Sequence, residues 1–342
     1  MAGQVTLVDV ARAAGVSLAT ASRALHGAAG RSVRPDLAQR VRQAAADLGY
    51  SVNANAQAMV RGTTTTVGLL VHDIADPFAA AIASGVMADA ARRGLLVTVA
   101  STLSDPELEL RHLEELHRQR AKAVILAGSR FADEDATEAV GRRLRSFVDG
   151  GGHAAAIGQD LLGVSTVAID NAGGADRLAR VLWTLGYRRF AVLAGPEQLL
   201  TSEDRLSGFR SGLAASGSDL PPENIIAAPF TRDGGYVAMM ELLDRDLDVD
   251  AVFAVSDVMA VGAMTALREQ GYRVPQDMAL AGFDDIVTLR DLDPPLTTVR
   301  IPLVTIGQRA LALALEAGPG LRVIRVPGEV VVRASTPNGS HR

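Results

Sequence analysis

The stretch Val5-Thr6-Leu7-Val8-Asp9-Val10-Ala11-Arg12-Ala13-Ala14-Gly15-Val16-Ser17-Leu18-Ala19-Thr20-Ala21-Ser22-Arg23-Ala24-Leu25 decides how the head of the chain folds. Thr6 suits a helix N-cap. Asp9 falls three residues on, at the positive end of the helix dipole. Val10, Ala11 and Ala14 continue a small apolar face, Gly15 breaks it, and Ser17 can cap a second helix over 18–25. Two short helices joined by a tight Gly-containing turn form the helix-turn-helix layout. A third helix is expected over 36–48, after Pro35 and before Gly49, with Leu37, Val41, Ala44, Ala45 and Leu48 on one face. An ordinary three-helix packing unit would carry the same pattern.

In a DNA-binding unit of this layout the second helix enters the major groove with its N-terminal residues at base edges. Here it offers Leu18, Ala19, Thr20, Ser22 and Arg23. Arg23 suits a bidentate contact to guanine, and Thr20 and Ser22 suit phosphates. Leu18 and Ala19 can only meet thymine methyls or exclude other bases. Charge points the same way. Residues 1–62 hold seven Arg and three Asp, a balance of +4 in a chain of net charge −5, so the rest carries −9. A basic head on an acidic body directs the head alone to a polyanion.

Beyond residue 66 short apolar runs alternate with helical patterns. Strands are expected at 67–71, 95–100, 123–126, 154–157, 167–169, 190–193, 251–255 and 278–281. Helices are expected at 78–93, 106–118, 174–185, 204–215, 234–243 and 258–270. Such alternation gives parallel sheets with right-handed crossovers, here in two similar halves. Ligands of such sheets bind beyond the carboxyl ends of the strands. That rule selects His72-Asp73, Asp76-Pro77-Phe78, Gly128-Ser129-Arg130, Gly158-Gln159-Asp160, Gly195-Pro196, Ser256-Asp257 and Phe283-Asp284-Asp285. Carboxylates and guanidinium for hydroxyls, with aromatics for C–H faces, suit a polyhydroxylated ligand.

Several classes are set aside. The 342 residues contain no cysteine, which removes disulfides and thiolate chemistry, and no apolar run long enough for a membrane span. The N-terminus lacks a basic and apolar leader, so a cytoplasmic protein associated with the nucleoid is expected. No phosphate-loop pattern occurs, and Lys122 is the single lysine. His112 and His117 are five apart, which misses the i, i+4 zinc-protease spacing, and the Gly-rich run 149–153 follows a helix rather than a strand. No nucleophile-elbow pattern is found. We expect no enzyme activity, metal or cofactor.

The opening stretch resembles the LacI family signature nearly position for position. The likeness continues through Arg40-Val41, Leu48-Gly49-Tyr50, Val192 to Pro196, Arg205 to Phe209, Ala254 to Gly262, Gly271 to Asp285 and Leu296 to Arg300. The resemblance implies an all-α helix-turn-helix headpiece followed by an α/β, two-lobed, periplasmic-binding-protein-like effector domain with parallel sheets. It implies a head over 1–50, a hinge over 51–65 and a sensor over 66–335. Lobe 1 would span about 66–165 and 297–325, and lobe 2 about 166–296 and 326–335. It places Leu18, Ala19 and Arg23 at base-reading positions, with Thr20, Ser22 and His26 near the backbone. The DNA-contacting set is then Thr6, Ser17, Leu18, Ala19, Thr20, Ser22, Arg23, His26, Asn53 and Met59. Met59 stands where the family wedges a Leu between central base pairs; an apolar wedge can kink DNA, although 53–60 also suits a plain tether.

For the effector the resemblance implies Arg205 and Asp284 as main polar contacts, Phe78 and Phe230 as walls, and Ser129 and Ser256 as secondary contacts. Arg205 would equally suit a surface helix position, and Asp284 a helix cap. The partners implied are near-palindromic operator DNA, a sugar-like small molecule and a second copy of the chain. The sequence departs from the family pattern at a turn over 27–33 about two residues longer than usual, at His26 for Asn, Gly158 for Asp, Ser256 for Asn and Ile301 for Gln. A solute-binding module without DNA function, and an activator or corepressor-dependent regulator, are the competing readings.

Overall fold

The computed structural model describes residues 5–26, 33–50, 63–316 and 320–338. The chain divides into two compact units, Met1–Thr64 and Thr65–Arg342.

The first unit contains α1 (Leu7–Ala13), α2 (Leu18–His26) and α3 (Pro35–Asp47). Local chemistry sets each start. Thr6 accepts from the Asp9 backbone N–H while the Asp9 carboxylate accepts from the Thr6 N–H, so two otherwise unpaired donors are satisfied. The Ser17 hydroxyl accepts from the Thr20 N–H at 3.2 Å. At the end of α1 the Arg40 guanidinium donates to the Ala14 carbonyl at 2.5 Å, tying α3 to the turn. Val10, Ala11, Ala14, Ala21, Val41 and Ala45 form a small buried core.

The second unit carries two parallel sheets. The first runs in the order β11-β5-β4-β3-β1-β2. Its strands are β1 (Thr66–Val71), β2 (Leu96–Ser101), β3 (Ala123–Ala127), β4 (His153–Ile157), β5 (Ser165–Ile169) and β11 (Val323–Val326). The helices of that lobe are α4 (Pro77–Arg92), α5 (Pro106–Arg118), α6 (Glu134–Asp149) and α11 (Leu303–Leu315). The second sheet runs β7-β6-β8-β9, from β6 (Phe190–Ala194), β7 (Ile225–Ala227), β8 (Ala251–Ala254) and β9 (Ala279–Ala281). Around it lie α7 (Asn171–Thr184), α8 (Leu200–Ala215), α9 (Arg232–Asp244) and α10 (Asp257–Glu269). The central strands β1, β3, β6 and β8 are buried almost throughout, as sheets covered on both faces require.

The chain passes between the lobes after β5, after β10 (Thr298–Arg300) and before β12 (Glu329–Val331). The last two strands pair antiparallel, with Val299 opposite Val330. With β5 in the first sheet, the first passage falls after Ile169, a few residues beyond the boundary expected from sequence.

Three helix pairs cross on glycine. A Cβ at Gly208 of α8 would lie 2.0 Å from the Ala172 carbonyl oxygen of α7. Gly85 of α4 and Gly307 of α11 meet each other's helix in the same way, as do Gly235 of α9 and Gly262 of α10. A side chain at any of these positions must drive two backbones apart. Gly208→Ala should therefore lower stability by roughly 1–3 kcal/mol or more, as overpacking does, read from the urea midpoint. An unchanged midpoint would contradict the close crossing.

Candidate DNA-reading helix and effector cleft

In the head, the start of α2 faces outward. Leu18 is 49% exposed although large and apolar. Ala19 is exposed, and Thr20, Ser22 and Arg23 are half-buried. The opposite face of the helix holds Ala21 in the core. Arg23 donates from Nε to the Ala19 carbonyl at 3.0 Å. That bond lays the guanidinium along the helix toward its N-terminus and leaves the terminal nitrogens without a partner among the described residues. The Ser17 and Thr20 hydroxyls lie 2.8 Å apart, and Thr6 is exposed. His26 closes α2. Asn53, Met59 and most of the long turn, residues 27–32, lie outside the described residues.

In the second unit the loops at the carboxyl ends of both sheets face one another. Arg205 sits at their centre and is 2% exposed. Its Nε donates to Asn171 Oδ1 at 2.9 Å, and Nη1 to the Val255 carbonyl at 2.7 Å. Nη1 and Nη2 reach the two Asp284 oxygens at 3.2 and 2.7 Å. The guanidinium stacks on Phe283, 3.8 Å from the ring centroid. One side chain thus joins α7, α8, the end of β8 and the loop after β9. Asp284 adopts φ 121°, a conformation costly for a side-chain-bearing residue. Its N–H donates to the Val299 carbonyl at 2.9 Å, on β10. The ion pair therefore rests directly on an interlobe passage.

Beneath it Asp257 is fully buried. It accepts from the Ile286 N–H at 2.9 Å and lies 2.7 Å from the Thr298 hydroxyl. Burial first, then the Asp284 charge, pushes its carboxyl up to about 8, so it is protonated at neutral pH. Burial also pushes Asp284 up to about 6, against the pull of Arg205.

Ser129 and Ser256 take different places. The Ser129 hydroxyl accepts from the Thr201 N–H at 3.0 Å and so spans the two lobes. Ser256 is 1% exposed and its hydroxyl caps α10, accepting from the Met259 N–H at 3.4 Å. Phe78, in the first turn of α4, and Phe230, before α9, are half-buried. Gly158 has φ +135°, and a Cβ there would lie 2.5 Å from the Gly128 carbonyl oxygen, so this backbone has no room for the carboxylate usual at that position. Its neighbour Gln159 fills the role of a polar group. The side chain accepts from the Arg130 N–H at 3.0 Å and donates to the Thr201 hydroxyl at 3.1 Å. Ile301 is buried and belongs to the core.

Sequence reasoning passed over Asn171, Thr201 and Asp204. For Asn171 the reason is the start of α7, expected at 174 and found at Asn171 behind the Asp170 cap; for Thr201 and Asp204 it is the start of α8, expected at 204 and found at Leu200. No side chain caps that helix. Its first turn is held instead by lobe 1: the Leu200 N–H donates to the Arg130 carbonyl at 3.0 Å and the Ala132 N–H to the Gln198 carbonyl at 2.8 Å. A tertiary strap replaces the capping residue, and no local signal marks it.

Residues 6–53 match the family model described as bacterial regulatory proteins, lacI family, and residues 179–336 match a periplasmic binding protein-like domain. The HTH-type transcriptional regulator GalS of Salmonella typhimurium is 36% identical over 318 residues, covering 92% of this chain and 91% of its own. The chain belongs to the lacI family of bacterial regulatory proteins. It is a helix-turn-helix transcriptional regulator with an α/β sensor of periplasmic-binding type. Among solved structures it is similar to a transcriptional regulator CelR–cellobiose complex, at TM-score 0.70 and 32% identity, covering 97% of this chain and 99% of that one. It is also similar to the lac repressor dimer bound to operator and the anti-inducer ONPF, at TM-score 0.83 and 25% identity, covering 98% and 100%.

The protonated Asp257 makes a test of the site's electrostatics. A carboxyl titrating near 8 when folded and near 4 when unfolded binds its proton more tightly in the folded state. Its stabilising contribution is full below about pH 4 and drains away as pH rises toward 8. Asp257→Asn keeps a donor for Thr298 and an acceptor for Ile286, and should flatten the fall in unfolding free energy between pH 4 and 8. A slope equal to wild type would contradict a protonated Asp257.

Proposed function

We propose that the chain is a repressor that binds a near-palindromic operator as a homodimer and is released when a small sugar-like effector occupies the cleft around Arg205 and Asp284. Each head reads one half-site through the first turns of α2. Asn53 and Met59 contribute from the hinge, with Met59 as the apolar wedge. The setting is the cytoplasm, and the chain catalyses nothing.

The observation that carries this reading is the exposed start of α2. An apolar Leu18 and a guanidinium whose terminal nitrogens have no partner among the described residues gain nothing from that position in a solitary protein. They suit a surface that is covered when DNA is bound. The basic balance of residues 1–62 supports it, as do the operator and cellobiose held by the two similar structures.

The cleft supports the effector half. Arg205 and Asp284 lie where strand ends converge, and Asp284 hydrogen-bonds a passage between lobes. A ligand that touches this pair acts on the element that sets lobe orientation. Its differential affinity for the two orientations then becomes a change in DNA affinity, and the coupling is reciprocal.

The head is tested with Arg23→Ala. Specific operator binding should weaken by about 1–3 kcal/mol, while binding to random DNA changes much less. An equal loss on both would make Arg23 a phosphate contact and remove it from base reading.

A further inference from the structure

We propose that residues 129–132 of lobe 1 and 198–201 of lobe 2 form a latch across the cleft, which opens and closes with the lobes and sets the balance between their orientations. This rests on the reading of the two-lobed unit as a sensor that controls the head.

The two segments pair as a short antiparallel bridge, with Phe131 opposite Leu199. The Leu200 N–H donates to the Arg130 carbonyl at 3.0 Å and the Ala132 N–H to the Gln198 carbonyl at 2.8 Å. The Ser129 hydroxyl accepts from the Thr201 N–H at 3.0 Å. Gln159, on the loop after β4, accepts from the Arg130 N–H at 3.0 Å and donates to the Thr201 hydroxyl at 3.1 Å. Arg130 is anchored within lobe 1, where its guanidinium holds both Glu109 oxygens of α5 at 2.8 Å.

What the latch gives lobe 2 is the start of a helix. Helices α4, α5, α6, α7, α9 and α10 each begin on a side chain that accepts from their own first turn. Like α11, α8 has no such cap, and its Leu200 and Thr201 N–H groups find their acceptors in the other lobe. Just before it Gln198 adopts φ 66°, a conformation that a residue with a side chain keeps only where its surroundings hold it. Parting the lobes strips α8 of both acceptors and releases Gln198. The helix is complete only while the latch is shut.

The latch and the interlobe passages are separate connections. In the first sheet the strap leaves β3 and the first passage leaves β5, two strands or about 10 Å away. The Arg205–Asp284 pair links the two. The Asp284 N–H reaches Val299 on β10, and Arg205 follows Thr201 by about one helical turn. A hinge at one end and a latch at the other favour two discrete arrangements, shut and open. A ligand that touches Arg205 acts on the helix whose first turn is half of the latch.

The test has two arms. In the first, Leu200→Pro deletes the donor to Arg130 at a position that accepts proline. It is the first residue of a helix, and Leu199 before it is already extended, at φ −78° and ψ 104°. Amide exchange should quicken by about threefold or more at Thr201 and also at Ala132 in the other lobe, as one lost hydrogen bond implies when the latch opens as a unit. Unchanged exchange at Ala132, whether or not α8 frays, overturns the latch.

In the second arm Phe131→Cys and Leu199→Cys are added to Leu200→Pro. The chain has no cysteine of its own. Residues opposite one another in such a bridge lie about 4.5 Å apart at Cα, within reach of a disulfide. Copper–phenanthroline then locks the latch and dithiothreitol frees it in one and the same protein. The locked and freed forms should differ in affinity for the near-palindrome upstream of the chain's own gene by about fivefold or more, the low end of an allosteric coupling. Failure to cross-link, or equal affinity in two forms that both prefer the palindrome, overturns the proposal. If neither form prefers the palindrome to scrambled DNA, the repressor reading fails, and the exchange arm, which needs no DNA, decides the latch.

Discussion

The second unit depends on the burial of one guanidinium. Taking Arg205 out of water costs several kcal/mol, and its attraction to Asp284 repays this only with good geometry and satisfied neighbours. The fold provides both. The fork meets both oxygens of Asp284, Asn171 and Val255 take the remaining donors, and Phe283 covers the face. Such a pair adds little net stability, but breaking it is expensive, so the four segments that supply these groups must stay in register. Asp257 lies below in its protonated form, because burial, and then the neighbouring Asp284 charge, disfavour a carboxylate there.

From that point the architecture connects outward. Asp284 hydrogen-bonds Val299, and its neighbour Asp285 holds Arg300 at 2.7 Å and Arg333 at 2.5 Å. Burial works against the Asp285 charge, and the two guanidinium groups keep it below the usual carboxylate range. The passages between lobes are therefore fastened to the cleft floor by ion pairs. The glycine-mediated helix crossings keep each lobe stiff on either side. Rigid lobes joined at a charged hinge favour discrete orientations over gradual deformation, as a switch requires.

Much of this was legible in the sequence where the causes are local. The head follows from Thr6, Asp9, Gly15 and Ser17, whose capping and turn chemistry acts within four residues. The buried central strands could be read from their apolar runs. The short strands β7, β10 and β12 could not, since three residues carry no period and their partners are distant in sequence. Of the site, Arg205 and Asp284 were reached through family resemblance and fell together as a buried pair. Thr201 and Asp204 were missed because interlobe hydrogen bonds, not a capping residue, start α8, and Asn171 because α7 begins three residues before the expected 174. Ser256 shows the converse: its place beyond the end of β8 and the family resemblance made it a candidate contact, and its hydroxyl accepts from the Met259 N–H as the cap of α10.

The account centres on a basic head that reads DNA by sequence under the control of an acidic sensor. Fluorescence anisotropy tests this most directly, with the purified full chain on the near-palindrome upstream of its own gene, against scrambled DNA, at two salt concentrations. The account predicts tight binding that prefers the palindrome and keeps that preference as salt rises. Equal, weak binding to both sequences that disappears with added salt would reduce the head to nonspecific electrostatics and contradict the account.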